Sequence, residues 1–495
     1  MTDILIQPVN QLRVRLVANH EWMHAIRDHF SFFVPGYQFV PAFKAGRWDG
    51  RIRMLDAKNH TFPKGLLPRL VQWANHNDAS VKVDQPKELK PVLEYDQEWE
   101  KSWPEICHFN PFPHQVTAIR AGLRMNQVLL LSPTGSGKSL IQYMLIRYII
   151  EHSDFNIILT VPSTNLAEQI VQDFREYTKD DFDVDSHVHI LYSGKEKKTT
   201  KRVLITTWQS VFKESREFFE RYNAFICDEA HQASQDSLTA IVEKLSHAPI
   251  RIGLTGTLNG SKLHELEMLA RFGPLIRVAT TEELIEAGLL ARLDIECTRL
   301  SYPPDVARLV SSMDYASEID FLMAHDGRNE FIVNKAVSRE GNTLVLFNFK
   351  EKHGELLREM LEERCEAAGK KFYYLTGDID AKLREKVRPI LEQNDNCVVL
   401  ATFGILSIGW NVKNLKHLIF AHPYKALIKT LQSIGRILRV SVGKDGAKLY
   451  DIGDDLIHRT AKREKMNHTM KHFIERLTIY QDENFPYTVE VQPVS

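Results

Sequence analysis

The octapeptide SPTGSGKS (132–139) constrains this 495-residue chain more than any other stretch. It follows VLLLS (128–132), a short continuous apolar run suited to a buried parallel strand, and it leads into SLIQYMLIRYIIEH, whose apolar positions recur at helical spacing. Strand, glycine turn and helix in that order gather backbone N–H groups and a helix N-terminus around one point, which makes a site for a phosphate chain. Gly135 and Gly137 permit close approach of the backbone, and Pro133, Thr134 and Ser136 complete the loop. Lys138 is placed to reach the β- and γ-phosphates of a nucleotide, and the Ser139 hydroxyl to coordinate Mg²⁺. The general pattern has Gly where Ser132 stands, so the match departs from it at that position.

The same alternation continues along the chain. NIILTVP (156–162), VLITT (203–207), AFICDE (224–229) and RIGLTGT (251–257) read as strands, with helical stretches such as NLAEQIVQDFREY (165–177) between some of them. Repeated strand–helix alternation predicts a parallel sheet covered on both faces. It starts again after residue 290 with RLDIECTRL, TLVLFNF (343–349), KFYYLTG (371–377), NCVVLAT (396–402) and HLIFAH (417–422), and with EKHGELLREMLEERCEAAG and LREKVRPILEQN as amphipathic helices. The expected fold class is α/β, with two such domains in tandem joined near residues 280–292.

Composition removes several classes. A net charge of -1, from 63 Lys+Arg against 64 Asp+Glu, argues against a wholly basic nucleic-acid coat. A hydrophobic content of 43% supplies enough apolar surface to exclude disorder as the dominant state. The five cysteines are far apart and form no CxxC pair, which argues against a zinc site or a disulfide framework and for a reducing compartment. The start, MTDILIQPVNQLRVRL, lacks a signal-peptide layout, and no run approaches the ~18 apolar residues of a membrane span. A soluble, cytoplasmic protein with no membrane partner is expected.

Charge is segregated at the flanks. Residues 1–70 hold ten Lys/Arg against five Asp/Glu, whereas 71–105 hold four against eight, and EYDQEWEKSWPE (94–105) reads as an acidic linker. Beyond residue 456, HRTAKREKMNHTMKHFIERLTIYQ reads as one basic amphipathic helix with Met466, Met470, Phe473, Leu477 and Tyr480 on a stripe that packs on the body of the protein. Two readings are open to its Arg459, Lys462, Arg463, Lys465 and Lys471: a solvated face or an extended nucleic-acid track.

A second chemical element is ICDEAH (226–231), at the end of an apolar run. Asp228, at the C-terminal edge of a strand, can hold Mg²⁺ through water, and Glu229 is placed to orient or deprotonate the attacking water. Adjacent carboxylates after buried hydrophobics are costly without a cation or hydrogen-bond partners. Together with the phosphate loop they specify nucleoside triphosphate hydrolysis.

The remaining motifs follow in the order found in superfamily 2 helicases, which residues 106–455 resemble. PFPHQVTAI (111–119) is similar to the segment whose glutamine, here Gln115, contacts adenine. VPSTNLAEQ (161–169), with Pro162 and Ser163, and TTWQS (206–210), with Thr207, Trp208 and Gln209, resemble nucleic-acid-contacting motifs. LTGTL (254–258) resembles the motif coupling hydrolysis to movement. ATFGILSIGWNVKNL (401–415) and QSIGRILR (432–439) resemble the fifth and sixth motifs, implying that Gly409 and Asn411 touch the nucleotide. Many relatives carry Asp where Asn411 stands, and Asn can still bond a ribose hydroxyl, without charge. Trp410 beside it can stack on a base or fill the core. Arg436 and Arg439 are three apart and share one helix face, so both can meet a γ-phosphate and tie turnover to domain closure.

The resemblance implies two RecA-like parallel-sheet motor domains, 106–285 and 286–455, between a small α+β N-terminal domain (1–93) with its linker (94–105) and a C-terminal helix and tail (456–495). In HFSFFVPGYQFVPAFKAGRWDGRIRMLD (29–56), Lys44, Arg47, Arg51 and Arg53 are interleaved with Phe30, Phe32, Phe33, Tyr37, Phe39, Phe43 and Trp48. Such a mixture suits phosphate neutralisation with base stacking, or the core of a small domain with a solvated basic rim. With GRWDGRIRMLD, LTGTL, GILSIGWNVKNL and QDENFPY, the whole chain resembles the UvsW family of phage recombination and repair helicases. That family implies an ATP- and Mg²⁺-dependent motor on branched DNA and RNA–DNA hybrids, monomeric, in the host cytoplasm, alongside single-strand-binding or recombination proteins. A double-strand translocase without strand separation and a non-catalytic annealing protein are the alternatives. No nuclease constellation in the flanks supports the first, and intact Lys138, Glu229 and Arg436 oppose the second.

Overall fold

Alternation of apolar and polar residues at the N-terminus produces a half-buried sheet. In a computed structural model that describes residues 2–494, apart from 180, 193–197, 234, 259–261, 378–386, 388, 405–413, 426–445, 461–462 and 483, β1 (Ile4–Pro8) pairs antiparallel with β2 (Arg13–Ala18). Ile4, Ile6, Val14 and Leu16 point inward while Arg15 and Val17 face out. β3 (Ser31–Phe33) and β4 (Arg51–Arg53) form a separate hairpin, and β5 (Thr61–Pro63) and β6 (Val81–Val83) complete a sheet of order β5-β2-β1-β6. Helices His20–His29 and Leu67–His76 contribute Ile26, Leu70 and Ala74 to the core, where Phe30 meets Phe62 edge-on at 5.1 Å.

The chain divides into two compact units, residues 1–132 with 137–278, and 133–136 with 279–495. In the first unit the apolar runs become β7 (Gln127–Leu131), β8 (Ile157–Val161), β9 (Val188–Leu191), β10 (Val203–Thr207), β11 (Ala224–Cys227), β12 (Ile250–Thr255) and β13 (Leu275–Arg277). They form a parallel sheet of order β13-β7-β12-β11-β8-β10-β9. β8, β10, β11 and β12 are buried along their whole length, as continuous apolar runs require. The N-terminal domain belongs to this unit: its core residues and those of helices Gln235–Lys244 and Lys262–Phe272 make one hydrophobic cluster. Arg13 pairs with Glu243 and Arg69 with Glu265 across the join.

At that join a Cβ on Gly65 would lie 2.0 Å from the Leu269 carbonyl oxygen. Gly65→Ala is therefore expected to cost about 1–3 kcal/mol, the range for overpacking against atoms that cannot yield. Urea unfolding measures it, and an unchanged midpoint would show that the backbones need not approach so closely.

The stretch 94–105 is packed and not a free linker. Trp99 and Trp103 are buried, 5.9 Å apart between ring centres, and Trp99 Nε1 donates to Glu151 Oε2 at 2.6 Å. Glu100 accepts two bonds from Arg120, at 2.7 and 2.6 Å, so its charge is matched by helix Pro113–Met125.

In the second unit β14 (Leu293–Ser301), β15 (Asn342–Phe347), β16 (Lys371–Leu375), β17 (Cys397–Thr402), β18 (Leu415–Phe420), β19 (Ala447–Asp455) and the terminal β22 (Tyr487–Pro493) make a second parallel sheet, of order β16-β17-β15-β18-β19-β14-β22. The fold is thus α/β with two RecA-like sheets in tandem. The long basic helix expected over 458–481 is shorter. Residues His458–Thr460 (β20) and Arg463–Lys465 (β21) form a hairpin, the helix spans His468–Asp482, and the tail joins the sheet as an edge strand. The helix starts where the buried Glu318 carboxylate accepts from the His468 and Thr469 amides, at 2.9 and 2.8 Å, and from Thr469 Oγ1 at 2.7 Å. A carboxylate there satisfies orphan N–H groups and complements the helix dipole. Met470, Phe473 and Tyr480 are buried, with Met466 and Leu477 packed beside them.

Candidate nucleotide site and nucleic-acid surface

Parallel strands present all their C-terminal ends at one edge, and the sheet order sets β7, β12, β11 and β8 side by side. The phosphate loop, LTGTL, ICDEAH and VPSTN therefore emerge at neighbouring points. Gly135 and Gly137 have φ of +88° and +77°, in the left-handed region that favours glycine. Helix Lys138–His152 begins with Gly137 at its N-cap and has no side-chain cap, leaving its first N–H groups for a ligand. A Cβ on Gly137 would sit 2.2 Å from Gln115 Nε2, so the glutamine amide lies against the loop, while its Oε1 accepts from the Phe112 amide at 2.8 Å.

Lys138 Nζ meets Glu229 Oε1 at 2.8 Å, with both side chains nearly buried. Burial by itself would raise the Glu229 carboxyl, but the ammonium beside it holds it well below the usual range. Asp228 moves the other way, raised by burial and then by the adjacent Glu229 charge. Glu229 has φ of 44°, unusual for a residue with a side chain and a sign of local strain. His231 is pushed down to about 4 by burial, stays neutral at pH 7, and bonds Thr255 Oγ1 at 2.5 Å; Thr255 in turn donates to the Thr257 carbonyl at 2.7 Å. The DEAH segment is thereby wired to LTGTL, a contact the sequence motifs do not reveal. An open helix terminus, a lysine whose ionic partner here is Glu229, and a buried Asp228 carrying like charge beside it are features that a nucleotide with a divalent cation fits.

The residues read as nucleic-acid contacts have different fates. Lys44 and Arg47 are exposed, on and just after the short helix Pro41–Lys44 in the loop of the β3–β4 hairpin. Phe39 in the same loop is 77% exposed and Phe33 47%. Arg51 lies 4.4 Å over the Phe33 ring and pairs with Asp28 at 3.4 Å, Arg53 pairs with Asp49, and Trp48 Nε1 donates to the Arg51 carbonyl at 2.9 Å. These three shape the hairpin, and Lys44 and Arg47 are its exposed cations. Ser163 caps helix Thr164–Tyr177, accepting from the Leu166 amide at 3.3 Å, with Pro162 half-buried before it. Gln209 is exposed, and Thr207 is buried with its hydroxyl 2.8 Å from that of Ser210. Trp208 requires correction: it is 4% exposed, its large apolar ring packed in the core shared with Leu204 and Val211. Gly409, Trp410, Asn411, Arg436, Arg439 and Lys462 lie outside the described residues.

Residues 3–84 match the family model for the N-terminal domain of DNA helicase UvsW, 108–260 that for the res subunit of type III restriction enzymes, and 328–441 the helicase conserved C-terminal domain. The ATP-dependent DNA helicase uvsW of Enterobacteria phage T4 is 31% identical over 99% of both chains. The chain belongs to the UvsW helicase family. The crystal structure of T4 UvsW superposes with a TM-score of 0.52 at 28% identity, covering 99% of this chain and 100% of that one. An HsdR-subunit fragment of a type I restriction enzyme from Vibrio vulnificus superposes at 0.58 with 14% identity, over 90% of this chain and 88% of that one, a likeness of fold. The UvsW N-terminal match contains the whole β3–β4 hairpin with Lys44 and Arg47, so the basic, aromatic loop sits in the UvsW-specific part of the chain.

Proposed function

We propose that the chain is an ATP-dependent DNA helicase that remodels branched nucleic acid, by Holliday-junction branch migration, fork regression and R-loop unwinding, in recombination, repair and replication. The observation that carries the motor reading is the Lys138–Glu229 contact of 2.8 Å at an uncapped helix N-terminus, beside the buried Asp228. UvsW-family membership supports the choice of branched substrates, with RNA–DNA hybrids as a second class. The functional division proposed is 1–93 as accessory domain, 94–105 as its connection, 106–285 and 286–455 as the motors, and 456–495 as the C-terminal element.

Within the site, Gln115 reads adenine and the 133–137 backbone cradles phosphate. Lys138 exchanges its bond to Glu229 for the β/γ-phosphates, which frees the Glu229 carboxylate to orient the attacking water and take its proton. Ser139 and Asp228 are the residues that would hold Mg²⁺, whose charge stabilises the phosphates when bound. Arg436 and Arg439 are proposed to meet the γ-phosphate. Neutral His231 passes the state of Glu229 to Thr255 and the LTGTL segment.

The test is ATPase and unwinding on forks, four-way junctions, R-loops and linear duplex, with triplex displacement alongside. Preferential turnover and strand separation on branched DNA are expected. Triplex displacement without strand separation would transfer the chain to the double-strand translocases. For the hairpin, Lys44→Ala with Arg47→Ala is expected to weaken DNA binding and flatten its dependence on log salt by about 0.9 for each phosphate that is no longer neutralised. An unchanged slope would remove both residues from the DNA surface.

A further inference from the structure

The hydroxyl of Ser139 lies 2.8 Å from the phenol oxygen of Tyr177, a residue outside every motif that the chain displays. Tyr177 ends helix Thr164–Tyr177, and its ring packs between Phe109, edge-on at 5.5 Å, and Tyr143 at 5.8 Å. Its carbonyl accepts from the His108 amide at 2.8 Å, and the following residue, Thr178, forms an antiparallel bridge with Cys107. The segment so anchored, 107–109, leads directly to the turn whose Phe112 amide is bound by Gln115. One side chain therefore touches the candidate metal ligand while its own backbone holds the approach to the adenine-reading glutamine.

A serine hydroxyl has one proton and two lone pairs. To ligate a cation it must turn a lone pair toward the metal, and a free rotor loses entropy in doing so. An acceptor fixed behind the hydroxyl selects that orientation in advance. We propose that Tyr177 is a positioning residue for the nucleotide site: its phenol oxygen accepts the Ser139 proton and so presents the Ser139 lone pairs to the divalent cation. The inference rests on the reading of Ser139 as a metal ligand. Its position one residue after Lys138 in the phosphate loop and the packed surroundings of Tyr177 are independent observations.

The experiment compares the affinity of fluorescent ADP in Mg²⁺ and in EDTA for the full chain, Tyr177→Phe, Ser139→Ala and the double variant, each checked by thermal melting. Tyr177→Phe keeps the ring and is expected to leave the EDTA affinity unchanged while lowering the Mg²⁺ affinity about three- to tenfold, the scale of one hydrogen bond. In the Ser139→Ala background the same change is expected to have no further effect. Equal losses with and without Mg²⁺ would make Tyr177 a packing residue and overturn the proposal. Tighter Mg²⁺-dependent binding would mean that the phenol donates to Ser139 and competes with the cation, which also overturns it. If Ser139→Ala alone leaves the Mg²⁺ effect intact, the reading of Ser139 as a ligand fails first, and the two failures are distinguished.

Discussion

Lys138→Ala will abolish ATP hydrolysis and leave DNA binding largely intact. The ammonium is the cation paired with Glu229, at 2.8 Å, and it stands at the head of a helix whose first N–H groups carry no side-chain cap. In the proposed role, its removal takes away a fixed positive charge where phosphate charge develops, in a nearly buried setting where such a charge is worth most. A reduction of at least about 10²–10³-fold in kcat is the expectation for one such group. Glu229 is also left buried beside Asp228 without its counter-ion, so it takes up a proton more readily and is less fit for its proposed role as base. The hairpin charges proposed to meet DNA, Lys44 and Arg47, belong to other elements, so affinity for DNA is expected to persist. Phosphate release at saturating DNA, with fluorescence anisotropy for binding, measures both halves. Wild-type-like turnover would sink the nucleotide-site assignment.

The contrast between the nucleotide site and the nucleic-acid surface follows from what a local pattern carries. The phosphate loop is readable because strand, glycines, lysine and helix are contiguous, and each dictates the next through backbone geometry. TTWQS transmits a position on the sheet edge but no side-chain direction. Trp208 turns inward because a large apolar ring gains more from the core beneath the strand end than from solvent. Likewise 458–481 keeps a basic, amphipathic rhythm through a hairpin and a helix alike. What separates them is Glu318, 150 residues earlier than the His468 amide that it binds. The acidic run 94–105 looks like a linker in sequence because its matching charge, Arg120, and its core neighbours lie on later helices. His231–Thr255 and Ser139–Tyr177 are long-range pairs of the same kind, invisible to spacing and available only once the strands are ordered.

The C-terminal helix shows how much such a distant pair can control, and Arg476→Ala is expected to destabilise the second unit by about 3–5 kcal/mol. Arg476 is wholly buried; its Nε and Nη2 reach both oxygens of Asp451 on β19, at 2.8 Å for the shortest bonds, and Nη2 also donates to the Ile452 carbonyl at 3.1 Å. Tyr480, one turn further along, donates to Asp451 Oδ2 at 2.8 Å. Truncating the arginine leaves a buried carboxylate facing the Tyr480 phenol with no cation paired to it among the described residues, and uncompensated burial costs more than the pair contributes over an apolar substitute. At roughly 2–4 °C per kcal/mol for a unit of about this size, the melting transition of residues 279–495 should fall by about 6–20 °C. Arg476→Met combined with Asp451→Leu removes both charges and fills most of the volume, so it should recover much of the stability. Urea and thermal unfolding of the three proteins separate the possibilities. A single variant within about 1 kcal/mol of the native chain would mean that water reaches Asp451. A double variant as unstable as the single one would locate the effect in packing, with the tether between helix and strand then resting on Phe473 and Tyr480, not on charge.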